Sequence, residues 1–151
     1  MVKYLVEHGA DITLTDEYGD RPYTEALKAN HAELADYLKS LEPAEWHTDT
    51  YHLRRVAPYK PPPTLVGLLQ RADRRIALEN CYPKHIVFHS LQHVKEINWK
   101  ERKLLDLLAE VDDFWETGYL VWSPHHKKVA HADYEHGQFT VLCSWNNFIA
   151  N

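Results

Sequence analysis

The residues with the most chemical potential in this chain are His125, His126, His131, Asp133, Glu135 and His136. Imidazoles and carboxylates together form the ligand sets of zinc and other transition metals. Residues 131, 133 and 135 alternate, so a strand would place them on one face. His131 and Asp133, with a histidine from the neighbouring hairpin, would then hold a metal and give a metal-dependent hydrolase. Against this, ligands within one strand lack zinc-site spacing, and no cysteine accompanies them. The expectation is therefore a solvated hairpin, with no metal bound through His125, His126, His131, Asp133 or His136. Ser123 or Ser144 with a histidine and an aspartate would make a nucleophile, but nothing here resembles a nucleophile elbow. No glycine-rich phosphate loop exists among only five glycines. His85, His89 and His93 recur every fourth residue beside Ile86-Val87-Phe88, which favours a strand with a partly exposed polar face. The chain is expected to have no catalytic residues and no cofactor.

The acidic run points elsewhere. From Leu104 to Thr117 the charged residues are Asp106, Glu110, Asp112, Asp113 and Glu116, all negative, and their sum equals the net charge of −5. Charge gathered in one place raises association rate and selects partners. Phe114, Trp115 and Tyr119 beside it are ring types found at binding hot spots. The expected partner-binding set is Asp106, Glu110, Asp112, Asp113, Trp115 and Glu116, facing a basic protein.

These residues need elements to position them. Leu104, Leu105, Leu107, Leu108 and Val111 give a wide apolar arc, and Asn98-Trp99-Lys100-Glu101 has the form of a capping box, so a helix is expected over 99–111. After Gly118 the period falls to two, over Tyr119–Ser123, Val129–Tyr134 and Phe139–Cys143. The short polar connections between them predict an antiparallel meander over 119–143. Ile76–Leu78 and His85–Leu91 read as further strands, and Thr64–Ala72 as a helix. Ser144 can cap a last helical turn. Trp122 and Trp145 are the expected buried anchors. Pro43, Pro58 and Pro61-Pro62-Pro63 mark 42–63 as an extended connector, with Trp46, Tyr51 and Tyr59 lying against its neighbours.

Near the start, Val2, Tyr4 and Leu5 return as Ala35, Tyr37 and Leu38, thirty-three positions later. His8-Gly9-Ala10-Asp11-Ile12 and Asp16-Glu17-Tyr18-Gly19-Asp20-Arg21-Pro22 continue the pattern. Residues 2–41 resemble an ankyrin repeat, with helices expected at 22–29 and 32–41. The resemblance implies a binding surface rather than chemistry. One repeat and the tail of another bury little by themselves, so the unit is expected to belong to a longer array or to dock on the remainder of the chain.

A second resemblance covers about 60–151. Thr117-Gly118-Tyr119-Leu120-Val121-Trp122-Ser123-Pro124, Val129-Ala130-His131-Ala132-Asp133-Tyr134-Glu135-His136 and Ser144-Trp145-Asn146-Asn147-Phe148-Ile149 look like the end of a SUKH domain. Pro63-Thr64-Leu65-Val66-Gly67-Leu68-Leu69 is similar to its early helix. That superfamily includes fungal Smi/Knr regulators and bacterial immunity proteins, many of which block a toxin by direct contact. The resemblance implies an α+β binding domain without catalytic residues.

The whole reads as an α+β chain: an ankyrin-type unit at 1–41, a proline-rich connector at 42–63 and a SUKH-like domain at 64–151. Negative net charge argues against a nucleic-acid partner. No apolar run is long enough to cross a membrane, and the start lacks a signal pattern, so a cytoplasmic protein is expected. Cys81 and Cys143 read as reduced thiols. The expected function is non-enzymatic protein binding, specifically neutralisation of a basic toxin. The alternative is an ankyrin-type scaffold or adaptor, with the hydrolase a distant third.

Overall fold

The structure, a computed structural model, describes residues 1–17, 19–79, 84–111 and 119–150. It has two compact units, Met1–Thr48 and Asp49–Asn151.

The first unit holds α1 (Val2–Glu7), α2 (Pro22–Lys28) and α3 (Ala32–Leu41), followed by a 3-10 turn at Ala44–His47. Two left-handed residues set the helix ends. Gly9, at φ 90°, lets the Ala10 amide reach the Leu5 carbonyl at 3.0 Å and ends α1. Asn30, at φ 57°, does the same for α2, with the His31 amide 2.9 Å from the Ala26 carbonyl. Pro22 opens α2, and Thr24 Oγ1 accepts from the Arg21 amide at 3.0 Å. Tyr23, Ala26, Ala35 and Leu38 form the buried centre, with Val2, Val6, Ile12, Leu34 and Tyr37 packed around it. Leu41, at the end of α3, is exposed.

The second unit begins with α4 (Asp49–Val56), a 3-10 turn at Ala57–Tyr59 and α5 (Pro63–Leu69). The segment read as an extended connector is thus largely helical, and the two units divide within it. Its apolar residues explain this: Val56 and Tyr59 fall one turn apart and enter the main core, and left-handed Lys60 ends the 3-10 turn before Pro61 and Pro62.

Eight strands come next among the described residues: β1 (Arg75–Ala77), β2 (His85–Phe88), β3 (Lys95–Trp99), β4 (Arg102–Asp106), β5 (Leu108–Val111), β6 (Tyr119–Ser123), β7 (Lys128–Asp133) and β8 (Gln138–Cys143). They form two antiparallel sheets, ordered β1-β2-β5 and β3-β4-β6-β7-β8. Leu107 ties the sheets together: its amide donates to the Leu120 carbonyl and its carbonyl accepts from the His89 amide, both at 2.9 Å. α6 (Trp145–Ala150) closes the chain, and Ser144 Oγ accepts from the Asn147 amide at 3.3 Å, as a cap would. The fold is α+β, with helices mainly before the strands.

The helix expected over 99–111 is not formed; β4 and β5 stand in its place. Trp99 pairs with Arg102, so Lys100 and Glu101 make a tight hairpin turn, with Lys100 left-handed at φ 53°. The leucines that suggested a wide helical arc instead fill both sides of a strand. Leu105 and Leu107 enter the main core, whereas Leu104 enters a second cluster on the opposite face. A strand covered on both faces and a buried helix segment have the same apolar letters. The meander over 119–143 is present as β6, β7 and β8. Trp122 and Trp145 are both buried, and Trp122 Nε1 donates to the Tyr59 carbonyl at 2.9 Å.

Candidate binding face

The five-stranded sheet has two unlike faces. One packs Leu105, Leu107, Trp122 and Val129 against α5, α6 and Phe88. The other carries Trp99, Leu104, Val121, Ala130 and Ala132, with Ile97, Tyr119 and Phe139 around them. Alanines on the inner strand β7 leave room for rings from the sheet margins to fold over it. Trp99 on β3 and Phe139 on β8 have ring centroids 6.1 Å apart. In a flat sheet these outer strands would lie about 19 Å apart, four strand spacings. The sheet is therefore strongly curled, and this face is its concave side.

A continuous chain of rings traces the curl. Tyr119 meets Tyr134 edge-on at 5.3 Å, Tyr134 meets Trp99 at 4.7 Å, and Phe139 meets His126 at 5.8 Å. His125 continues it, 4.9 Å from His126. Tyr134 is 46% exposed, and its hydroxyl donates to the Asn98 carbonyl at 3.3 Å, joining the β7–β8 turn to β3. Arg102 places its guanidinium 5.7 Å from the Phe139 ring centre.

One end of this sheet is cationic. The pairings Leu105–Trp122 and Asp106–Val121 bring the β3–β4 turn and the β6–β7 turn to the same end. Exposed Lys100, Arg102, Lys103, Lys127 and Lys128 gather there, with Glu101 as the opposing charge. Partial burial, aided by Arg102, His125 and Lys128, holds the His126 imidazole below its usual pKa, so it is neutral at pH 7.

The polar constellation singled out in the sequence falls into two turns. Ser123 Oγ lies 2.9 Å from His126 Nδ1, and Asp133 accepts from both the His136 amide and ring, at 3.1 and 2.8 Å. In each, a polar side chain ending one strand ties down the third residue beyond it, so these residues shape turns. The turns lie at opposite ends of β7, roughly 17–20 Å apart at strand rise. His125 and His126 therefore do not join His131 and Asp133 in one ligand set, and Glu135 sits in the second turn rather than alternating with them. Ser123 is fully buried. The Asp133 carboxylate raises the pKa of His136.

The acidic set also changes meaning. Asp106 is buried, on the concave face of β4, with His89 Nε2 at 3.4 Å and the Leu108 amide at 3.3 Å. It does not belong to a solvated helix face. Glu110 lies in the backbone of β5, opposite Val87. Asp112, Asp113, Trp115 and Glu116 lie outside the described residues. In the first unit Asp16, Asp20 and Glu25 bring carboxylate oxygens within 4.8 Å of one another, but the Lys28 ammonium contacts both Asp20 and Glu25 and meets that charge.

Sequence reasoning passed over the concave face, because its rings come from β3, β6, β8 and two turns, and only strand order unites them. The available signal was small residues, Ala130 and Ala132, alternating on a strand flanked by aromatic ones. Comparison of the chain with protein-family models, with curated proteins and with solved structures gives no match. No helix among the described residues is long and apolar enough to cross a membrane.

Proposed function

We propose that this chain is a non-enzymatic, cytoplasmic protein-binding module whose concave sheet face receives an acidic segment of its partner. The observation that carries this is the run of rings from Tyr119 to His125 ending at the exposed cations of the two turns. Tyrosine, tryptophan and arginine are the residues on which binding energy concentrates. The cations steer an acidic segment to the sheet end and the rings then supply contact area. Nucleobase stacking is disfavoured, because Trp99 is buried and packs edge-on against Tyr134. The cations at this end of the sheet favour an acidic partner over the basic one expected from the acidic run. A free thiol at Cys143 suits a reducing compartment.

Neutralisation of a toxin by direct contact is the specific form that the SUKH resemblance implies. What supports it is the order of elements: a strand ending at Ser123-Pro124, a strand reaching Asp133, a third strand, and a helical tail containing Phe148. The adaptor alternative draws on the ankyrin-like unit, whose α1 exposes Tyr4 and Leu5.

Selection from a random peptide library tests the binding face. Peptides enriched by the native chain are expected to combine Asp or Glu with aromatic or leucine residues. Tyr134→Ala is expected to weaken the best of them by about 2 kcal/mol, as hot spots do. Arg102→Glu is expected to slow association at low salt. Selected peptides with no acidic bias, or binding indifferent to both substitutions, would overturn the proposal.

A further inference from the structure

The margins of the two sheets are guarded unequally. β1 is three residues long and includes Arg75; β5 includes Glu110; β3 includes Lys95 and Glu96. Short length and charge are the devices that keep strand edges from pairing with other chains. β8, Gln138-Phe139-Thr140-Val141-Leu142-Cys143, has neither. It is six residues long, without charge, proline or glycine, and rich in residues that favour strands. Among the described residues it pairs with β7 alone. Every second residue of such an edge turns its amide and carbonyl away from the sheet. Its outward residues Gln138, Thr140 and Leu142 are exposed, Leu142 by 47%. α6, next in the chain, packs beneath the sheet through Trp145 and Phe148 against Phe88.

The charges at the two ends of this edge are opposite. Lys127 and Lys128 stand beside the Cys143 end, and Asp133 and Glu135 beside the Gln138 end. A second copy laid antiparallel along β8 would turn the lysines of each molecule toward the carboxylates of the other across three strand spacings, about 14 Å, an attraction felt most at low ionic strength. A parallel arrangement would oppose like charges. Side-chain alternation restricts the register further, because opposite residues must share a face. Thr140 then faces Thr140 of the other copy, or Val141 faces Val141.

We propose that β8 is the self-association edge of this protein, and that its occupant is β8 of a second copy, paired antiparallel to give one ten-stranded sheet across a two-fold axis. This proposal uses the edge of the sheet and not its concave side; Lys127 and Lys128 serve both, and dimerisation and peptide binding are read separately.

Sedimentation velocity over a concentration series on the full chain tests it. The native chain is expected to show a reversible monomer–dimer equilibrium. Thr140→Lys is expected to abolish the dimer while leaving the circular-dichroism spectrum unchanged. If that variant misfolds, the charge variants decide. Lys127→Glu with Lys128→Glu opposes like charges at both ends of the pairing, and Glu135→Lys, which leaves Asp133 in place, cancels the attraction at both ends. Each is expected to raise the dimer dissociation constant by about tenfold or more, a shift of ~1.4 kcal/mol. Mixed together, the two variants regain full attraction at one end, and the heterodimer is expected to form more readily than either variant self-associates. A native chain that stays monomeric at every concentration would overturn the proposal and leave β8 to a strand from a different protein. So would a dimer that persists in a folded Thr140→Lys variant, or one indifferent to the charge exchanges.

Discussion

The buried charges at Glu42 and Asp106 show how single residues are committed to structure. The Glu42 side chain is fully buried and accepts from Arg21 Nε and Nη2 at 2.9 and 3.2 Å, while His47 Nε2 lies 3.0 Å away. Arg21 also stacks over Trp46. These contacts clasp the residue before α2 to the residue after α3. Burial outweighs the pull of Glu42, with Lys39 and Arg21 adding to it, and leaves the His47 pKa below its usual 6.5. With the native value depressed, the unfolded chain binds more protons at mildly acidic pH, so stability falls as pH drops below about 6.5. Thermal melts of native protein and His47→Asn between pH 5 and 7.5 check this; the variant is expected to show the shallower dependence. Equal slopes would place His47 outside the clasp energetics. Ser123, Asp133 and His136 make the same point more simply: catalytic residue types here hold turns.

At the scale of elements, the contrast between 99–111 and 119–143 is instructive. Both stretches are rich in apolar residues. In β6 to β8 the alternation and the turns at Pro124 and Gly137 leave one solution, and the expected meander is present. In 99–111 no breaker separates the leucines, and burial on both faces erases alternation. The deciding residue is Lys100, whose left-handed conformation a helix would not contain. Lys100→Gly separates the two cases by sign. In a helix glycine costs about 1 kcal/mol. In the turn it removes a left-handed side chain that costs about 1–2 kcal/mol, offset in part by glycine's greater unfolded freedom. The expected outcome is a gain of about 0.5–1 kcal/mol in urea unfolding. A loss of that size would mean the hairpin is not the stable form.

For the molecule as a whole, the two units differ in how much they can bury. The first centres on Tyr23, Ala26, Ala35 and Leu38, whereas the second encloses Phe88, Trp122, Trp145 and a set of leucines. Residues 49–151 expressed alone are expected to unfold cooperatively with their near-ultraviolet dichroism intact. Residues 1–48 alone are expected to melt broadly, because so small a core leaves little net stability. A molten 49–151 fragment would show that its core needs the first unit. What the sequence by itself determined is local: the helices near 22–29 and 32–41, the meander after Gly118, the buried tryptophans and the α+β class. Each rests on chain stiffness or on the alternation of near neighbours, which short-range letters carry. Tertiary structure alone decided that Leu104 and Leu105 face different cores. It likewise decided that Asp106 lies inside, that the hairpin histidines part to opposite ends, and that Trp99 meets Phe139. Those outcomes depend on which strands pair and how far the sheet curls, and pairing joins residues distant in the chain through contacts that no local period encodes.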